Sequence, residues 1–117
     1  MKRLITHSAL LTILVLLTAC SRTTSISLEN RSSRVLEADV IKGRGFRQAL
    51  GQISPGAIAT AEVEPTGESG LAISFVANGR SVDLPAIGYF EGGGQYKVKA
   101  VVTPALAATV EADLRSY

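Results

Sequence analysis

The chain has 117 residues, 12 Lys and Arg against 10 Asp and Glu, 46% hydrophobic residues, one Cys, one His, one Met and no Trp. That length bounds it to one small domain. Two of the basic residues (Lys2 and Arg3), the only Met and the only His fall within the first 19 positions, so from Cys20 onward ten basic residues face ten acidic ones. A neutral balance with no basic stripe excludes the electrostatic footprint of a nucleic-acid-binding protein.

The first element is a targeting segment. Met1-Lys2-Arg3 supplies positive charge, and Ala9 to Leu17 is an apolar run without charge, Pro or Gly. It falls short of the roughly 20 apolar residues that a membrane-spanning helix needs, and Ser21, Arg22 and Thr23 follow soon after. A removable export signal fits better. It ends in Leu17-Thr18-Ala19-Cys20, which resembles the lipobox of bacterial lipoproteins: a branched apolar residue, two small residues, then the Cys that takes the lipid.

That resemblance covers about the first 20 residues. It implies diacylglyceryl transfer to the Cys20 thiol, cleavage before Cys20 by signal peptidase II and acylation of the new amino group. Several acyl chains on one Cys anchor a protein firmly where a single chain does not. Lipidation also accounts for an odd thiol in an exported chain, where paired Cys are the norm. By analogy with lipoprotein sorting in double-membraned bacteria, Ser21 in place of Asp implies forwarding to the outer membrane. The expected organisation is a signal peptide over residues 1–19, a lipidated Cys with its tether over 20–25, and one β-domain over 26–117.

From Ile26 onward apolar residues recur with period two, the pattern of half-buried strands. Ile26 and Leu28 begin the pattern. In Arg34 to Ile41, Leu36, Ala38 and Val40 alternate with Glu37 and Asp39; in Ala57 to Glu64, Ala59, Ala61 and Val63 alternate with Thr60, Glu62 and Glu64. Leu71 to Ala77 follows, and Asn78-Gly79, able to take the positive φ angles of a type I′ turn, joins it to Arg80–Leu84 as a hairpin. Late in the chain Tyr96, Val98, Ala100 and Val102 form one strand face, and Ala108, Val110, Ala112 and Leu114 another. Ala105 to Leu114 is rich enough in Ala to suggest a helix, but its strict alternation favours a strand. The same alternation sets Lys97 and Lys99 against Glu111 and Asp113 across an antiparallel pair.

Turn residues recur every dozen positions or so, as in a sandwich or barrel. About seven strands predict an all-β fold: a small antiparallel β-sandwich, immunoglobulin-like or transthyretin-like, with a small β-barrel as the alternative. Gly94-Gln95-Tyr96-Lys97-Val98 resembles the Gly-x-Tyr-x-Val that opens a late strand in Greek-key sandwiches, where the Tyr hydroxyl closes a corner. The plainer alternative is a half-exposed strand aromatic.

Without the leader the chain has no His, and Cys20 is taken by lipid. That inventory excludes Ser-His-Asp and Cys-His nucleophiles and leaves no nitrogen or sulfur ligands for zinc, copper or haem. No cofactor and no metal is expected. Carboxylate hydrolysis stays open on distance alone, since Glu62 and Glu64 are about 6.6 Å apart along a strand, but Thr and Glu alternating there read as a solvated face. The chain is expected not to be an enzyme.

Two segments stand out as contact candidates. Lys42, Arg44 and Arg47 place three positive charges beside Phe46 in six residues, suited to headgroups or an acidic partner; the plainer reading is a solvated connection with Phe46 tucked into the sheet. Tyr89 and Phe90, before Glu91-Gly92-Gly93-Gly94, suit an aromatic tip on a flexible hinge, or a hairpin turn with one ring in the core. Asn30-Arg31-Ser32 matches the N-glycosylation pattern, a modification foreign to a bacterial lipoprotein.

The favoured function is an accessory lipoprotein facing the periplasm, bound to the membrane through Cys20 and to another envelope protein through sheet edges or loops. Its layout is similar to that of type VI secretion lipoproteins and some secretin pilot proteins. The alternative is a ligand-binding or inhibitor module directed at cell-wall glycan or a cell-wall hydrolase.

Overall fold

In the computed structural model, which describes residues 23–114, eight strands and no helix are present among the described residues: β1 Thr24–Asn30, β2 Leu36–Gly43, β3 Phe46–Ile53, β4 Ile58–Val63, β5 Glu68–Ala77, β6 Arg80–Glu91, β7 Tyr96–Val102 and β8 Ala108–Leu114. They form two four-stranded sheets, ordered β4-β1-β7-β8 and β3-β2-β5-β6. β6 runs beside β8 and β3 beside β4, yet no hydrogen-bonded ladder joins either pair, so the molecule is a sandwich and not a closed barrel. All pairings are antiparallel except β1 with β7, which is parallel. The first sheet is therefore mixed, a departure from the purely antiparallel expectation.

The inner faces follow the period-two rule in β1, where Ile26 and Leu28 are buried, in β5, where Leu71, Ile73, Phe75 and Ala77 are buried, and in β7, where Val98, Ala100 and Val102 are buried. Together with Leu36, Ile41, Ile53, Val63 and Phe90 they form one core between the sheets. Each large aliphatic here withdraws its side chain from water and contributes roughly 1.5–3 kcal/mol. Asn78 (φ 55°) and Gly79 (φ 77°) make the expected primed turn, which fixes Ala77 opposite Arg80. Lys97 lies opposite Asp113 and Lys99 opposite Glu111, as the alternation required. Tyr96 is half-buried against the core.

Three differences from the sequence reading have local causes. β3 was not expected, because its apolar residues Phe46, Leu50 and Ile53 do not alternate; Gly51 (φ 77°) and a register shift against β2 break the period. β6 continues past Pro85 to Glu91, where the reading stopped at Leu84. It pairs only with β5, through two register shifts, so a residue lacking an N–H fits an edge strand.

In β2, Ala38 takes φ 52° and the pairing shifts between Glu37 and Val40. That bulge reverses the faces beyond it: Asp39 and Ile41 turn inward and are fully buried, while Ala38 and Val40, expected inside, are not. Asp39 enters the interior without a hydrogen-bond partner for either carboxylate oxygen, and burial pushes its pKa up to about 6.

Candidate functional site

The sandwich has two ends with different construction. At the near end, where β1 begins, Thr24 pairs with Val63 of β4 and Ser25 with Lys97 of β7. The β2–β3 turn, the β4–β5 connection and the β6–β7 turn meet there. Thr66 donates its backbone N–H to Arg44 O (3.0 Å), Gly92 donates to Gly67 O (3.0 Å), and the Arg44 N–H reaches Ser69 Oγ (3.0 Å). A side chain at Gly92 would collide with the Pro65 carbonyl, so glycine permits this close approach.

Both segments singled out in the sequence therefore converge through Pro65–Gly67. Lys42 and Arg47 are exposed and directly opposite each other in the β2–β3 hairpin, whose turn is Arg44-Gly45. Arg44 is exposed beside Gly67. The aromatics behave differently from a recognition tip. Phe90 is fully buried, Phe46 is half-buried against the core, and their ring centroids lie 6.2 Å apart. Phe90 belongs to the core, and Phe46 packs against it at the near end.

Tyr89 is 51% exposed and lies in β6 itself, not on a flexible tip. Its hydroxyl donates to Glu91 Oε2 (3.1 Å), and its pKa is raised by partial desolvation, by that hydrogen bond and by the negative charge of Glu68. Glu68 and Glu91 face each other across β5 and β6, so acidic groups adjoin the basic hairpin. Cys20 and Ser21 lie outside the described residues.

The far end is organised by Asn30, which enters the sequence reading only through its Asn30-Arg31-Ser32 pattern. Asn30 continues the inward face of Ile26 and Leu28 and is fully buried. Its Nδ2 donates to Arg34 O (2.7 Å) and Ile53 O (3.0 Å), and its Oδ1 accepts from the Ser32 N–H (2.9 Å) and the Ser32 hydroxyl (2.7 Å). Its backbone N–H donates to Ala57 O and its carbonyl accepts from the Gly56 N–H. Asn30 thus ties β1 to the β1–β2 connection and the end of β3 through its side chain and to the β3–β4 connection through its backbone, and its burial leaves no room for a glycan. The inward parity of position 30 was the available signal.

This network fixes Arg34 at the rim of a depression of about 450 Å³, lined on one side by Arg34 and Leu106 and on the other by Ala77, Asn78, Arg80, Ser81 and Val82. No carboxylate lines it. Among the described residues further depressions lie elsewhere: one holds Lys42 with Asp83, one Arg31 and Lys99 with Glu111, and one Lys97 and Lys99 with Glu111 and Asp113. Among the described residues no group of three or more His, Cys, Asp or Glu is placed to hold a metal ion.

No family model matches the chain, and no curated protein matches it. Among solved structures it is similar to one described as the NMR structure of the protein from Eubacterium rectale, at 12% identity and TM-score 0.54, covering 82% of this chain and 91% of that one. That likeness concerns the fold alone.

Proposed function

We propose that the protein is a lipid-anchored accessory protein of the bacterial envelope, whose sandwich binds another envelope protein and catalyses no reaction. The observation that carries this reading is the position of the tether. β1 starts at the near end, and Cys20 precedes Thr24 by four residues. At 3.3–3.6 Å per extended residue, a lipidated Cys20 lies within roughly 14 Å of that end. The near end then faces the bilayer, and the far end, with its rigid loops, is presented to the periplasm. The resemblance at Leu17–Cys20 supports the anchor, and Ser21 supports the outer membrane as its destination. Binding requires no nucleophile or metal ligand, which agrees with a mature chain free of His and with its one thiol acylated.

The test has two parts. Cys20→Ser is expected to abolish the lipid mass and to leave an unprocessed or soluble precursor; normal membrane partitioning of that variant would sink the anchor. Pulldown of the wild-type protein from solubilised envelopes is expected to recover one stoichiometric protein partner. Saturable binding to cell-wall glycan with no such partner would favour the ligand-binding alternative.

A further inference from the structure

We propose that the far-end depression is a docking site for an acidic segment of the partner protein: a carboxylate enters between Arg34 and Arg80, and a neighbouring apolar side chain rests on Val82 and Leu106. The inference rests on the reading of this chain as a protein-binding module, but not on its lipid anchor.

Charge distribution is the first support. Acidic and basic residues balance after Cys20, and three further depressions among the described residues each hold a cation together with a carboxylate. The far-end depression holds two arginines and no acid. Arg31–Glu29, at 3.2 Å, is the one ion pair among the described residues, so neither guanidinium is bridged; what sets this depression apart is that no carboxylate lines it beside them. Two like charges at one depression repel, and an incoming anion relieves that repulsion. Asn78 and Ser81 add uncharged donors to the rim.

Rigidity is the second support. The Arg34 carbonyl accepts from Asn30 Nδ2 (2.7 Å) and Ser32 Oγ (3.2 Å), and its N–H donates to Ser32 Oγ (3.1 Å). Arg80 is fixed by the turn that sets it opposite Ala77. Both side chains therefore leave anchored backbone, and less ordering cost remains to be met on binding. The guanidinium fork matches the geometry of a carboxylate. The apolar wall distinguishes a peptide carboxylate from a hydrated inorganic anion, which gains nothing from Val82 or Leu106.

The experiment uses the full-length chain in detergent micelles and a fluorescein-labelled Leu-Glu-Leu-Asp peptide, read by fluorescence anisotropy, with Leu-Gln-Leu-Asn as its uncharged counterpart. The acidic peptide is expected to bind at least about ten-fold more tightly than the amide one, and Arg34→Gln with Arg80→Gln to remove about ten-fold of that affinity. Arg44→Gln with Arg47→Gln, at the opposite end, is expected to change little. Only the backbone of Arg34 enters the Asn30 network, so the Gln variants keep the fold, and an unchanged far-ultraviolet circular dichroism spectrum verifies this. Equal affinity for both peptides, absence of binding, or full retention in the Arg34/Arg80 variant overturns the proposal. Displacement of the peptide by equimolar inorganic phosphate overturns it too, by marking a simple anion site. Recovery of a partner by pulldown despite any of these results would leave the binding module standing and remove only this site.

Discussion

The two ends of the sandwich close their loops by different means. At the near end two backbone bonds, Thr66 to Arg44 and Gly92 to Gly67, and one from the Arg44 N–H to Ser69 Oγ join the loops, with glycine allowing the close approach and the Phe46–Phe90 pair packed behind. At the far end backbone bonds also join the loops, Asn30 to Ala57, Gly56 to Asn30 and Arg31 to Val102, and there a single buried amide, Asn30, adds side-chain bonds to three other residues. Cohesion spread over many backbone groups tolerates most side-chain changes, whereas cohesion concentrated in one buried side chain does not. The far end is consequently the more vulnerable of the two to a single substitution.

The largest effect is expected from Asn30→Ala, which takes the side-chain donor from the Ile53 carbonyl and the acceptor from the Ser32 N–H, and leaves the Arg34 carbonyl and the Ser32 hydroxyl only each other. A loss of roughly 3 kcal/mol in urea unfolding is expected. Hydrogen exchange should localise the damage: protection falls at Arg31 and Arg34 and survives at Thr66 and Gly92. Uniform loss across both ends would erase the distinction between them.

Between the ends lies Asp39, whose burial raises its pKa from 3.8 to about 6. The folded state then binds more protons than the unfolded state between those pH values, so its contribution to stability falls as pH rises through that window and is flat above it. At about 1.4 kcal/mol per pKa unit, wild type is expected to lose up to about 3 kcal/mol relative to Asp39→Ala across the window. Paired urea titrations at the two pH limits measure this. A pH-independent difference would contradict the buried, unpartnered carboxylate.

At the near end, Gly92→Ala drives a methyl onto the Pro65 carbonyl and is expected to cost about 2 kcal/mol, with exchange protection lost at Gly92 and Thr66 while Arg31 is unaffected. The smallest effect belongs to Lys97→Ala on the outer face opposite Asp113, a few tenths of a kcal/mol and reduced further by salt.

Period-two patterning was enough to locate β1, β4, β5, β7 and β8, because each keeps one regular face toward the core. The Asn-Gly turn and the Lys97–Asp113 register followed from local rules alone. Where backbone irregularity intervenes, the pattern misleads: the bulge at Ala38 sends Asp39 inside, Gly51 hides β3, and Pro85 hides the continuation of β6. The candidate site was less legible. A cluster of charges and aromatics drew attention to the near end, yet Phe90 is a core residue and Phe46 packs against the core. The far-end depression joins segments more than forty positions apart, so no local pattern announces it. Asn30 was within reach, since it shares the inward parity of Ile26 and Leu28, but a polar residue beside a turn reads as loop.

The central claim is that the far end, and not the near end, meets the partner. Site-specific photo-crosslinking in intact cells tests it most directly, with Ser33→p-benzoylphenylalanine beside Arg34 and Arg44→p-benzoylphenylalanine at the opposite end, both exposed positions. A discrete protein adduct at position 33 and none at position 44 is the expected result. An adduct at position 44 with none at position 33 would contradict the account and return the contact to the basic hairpin.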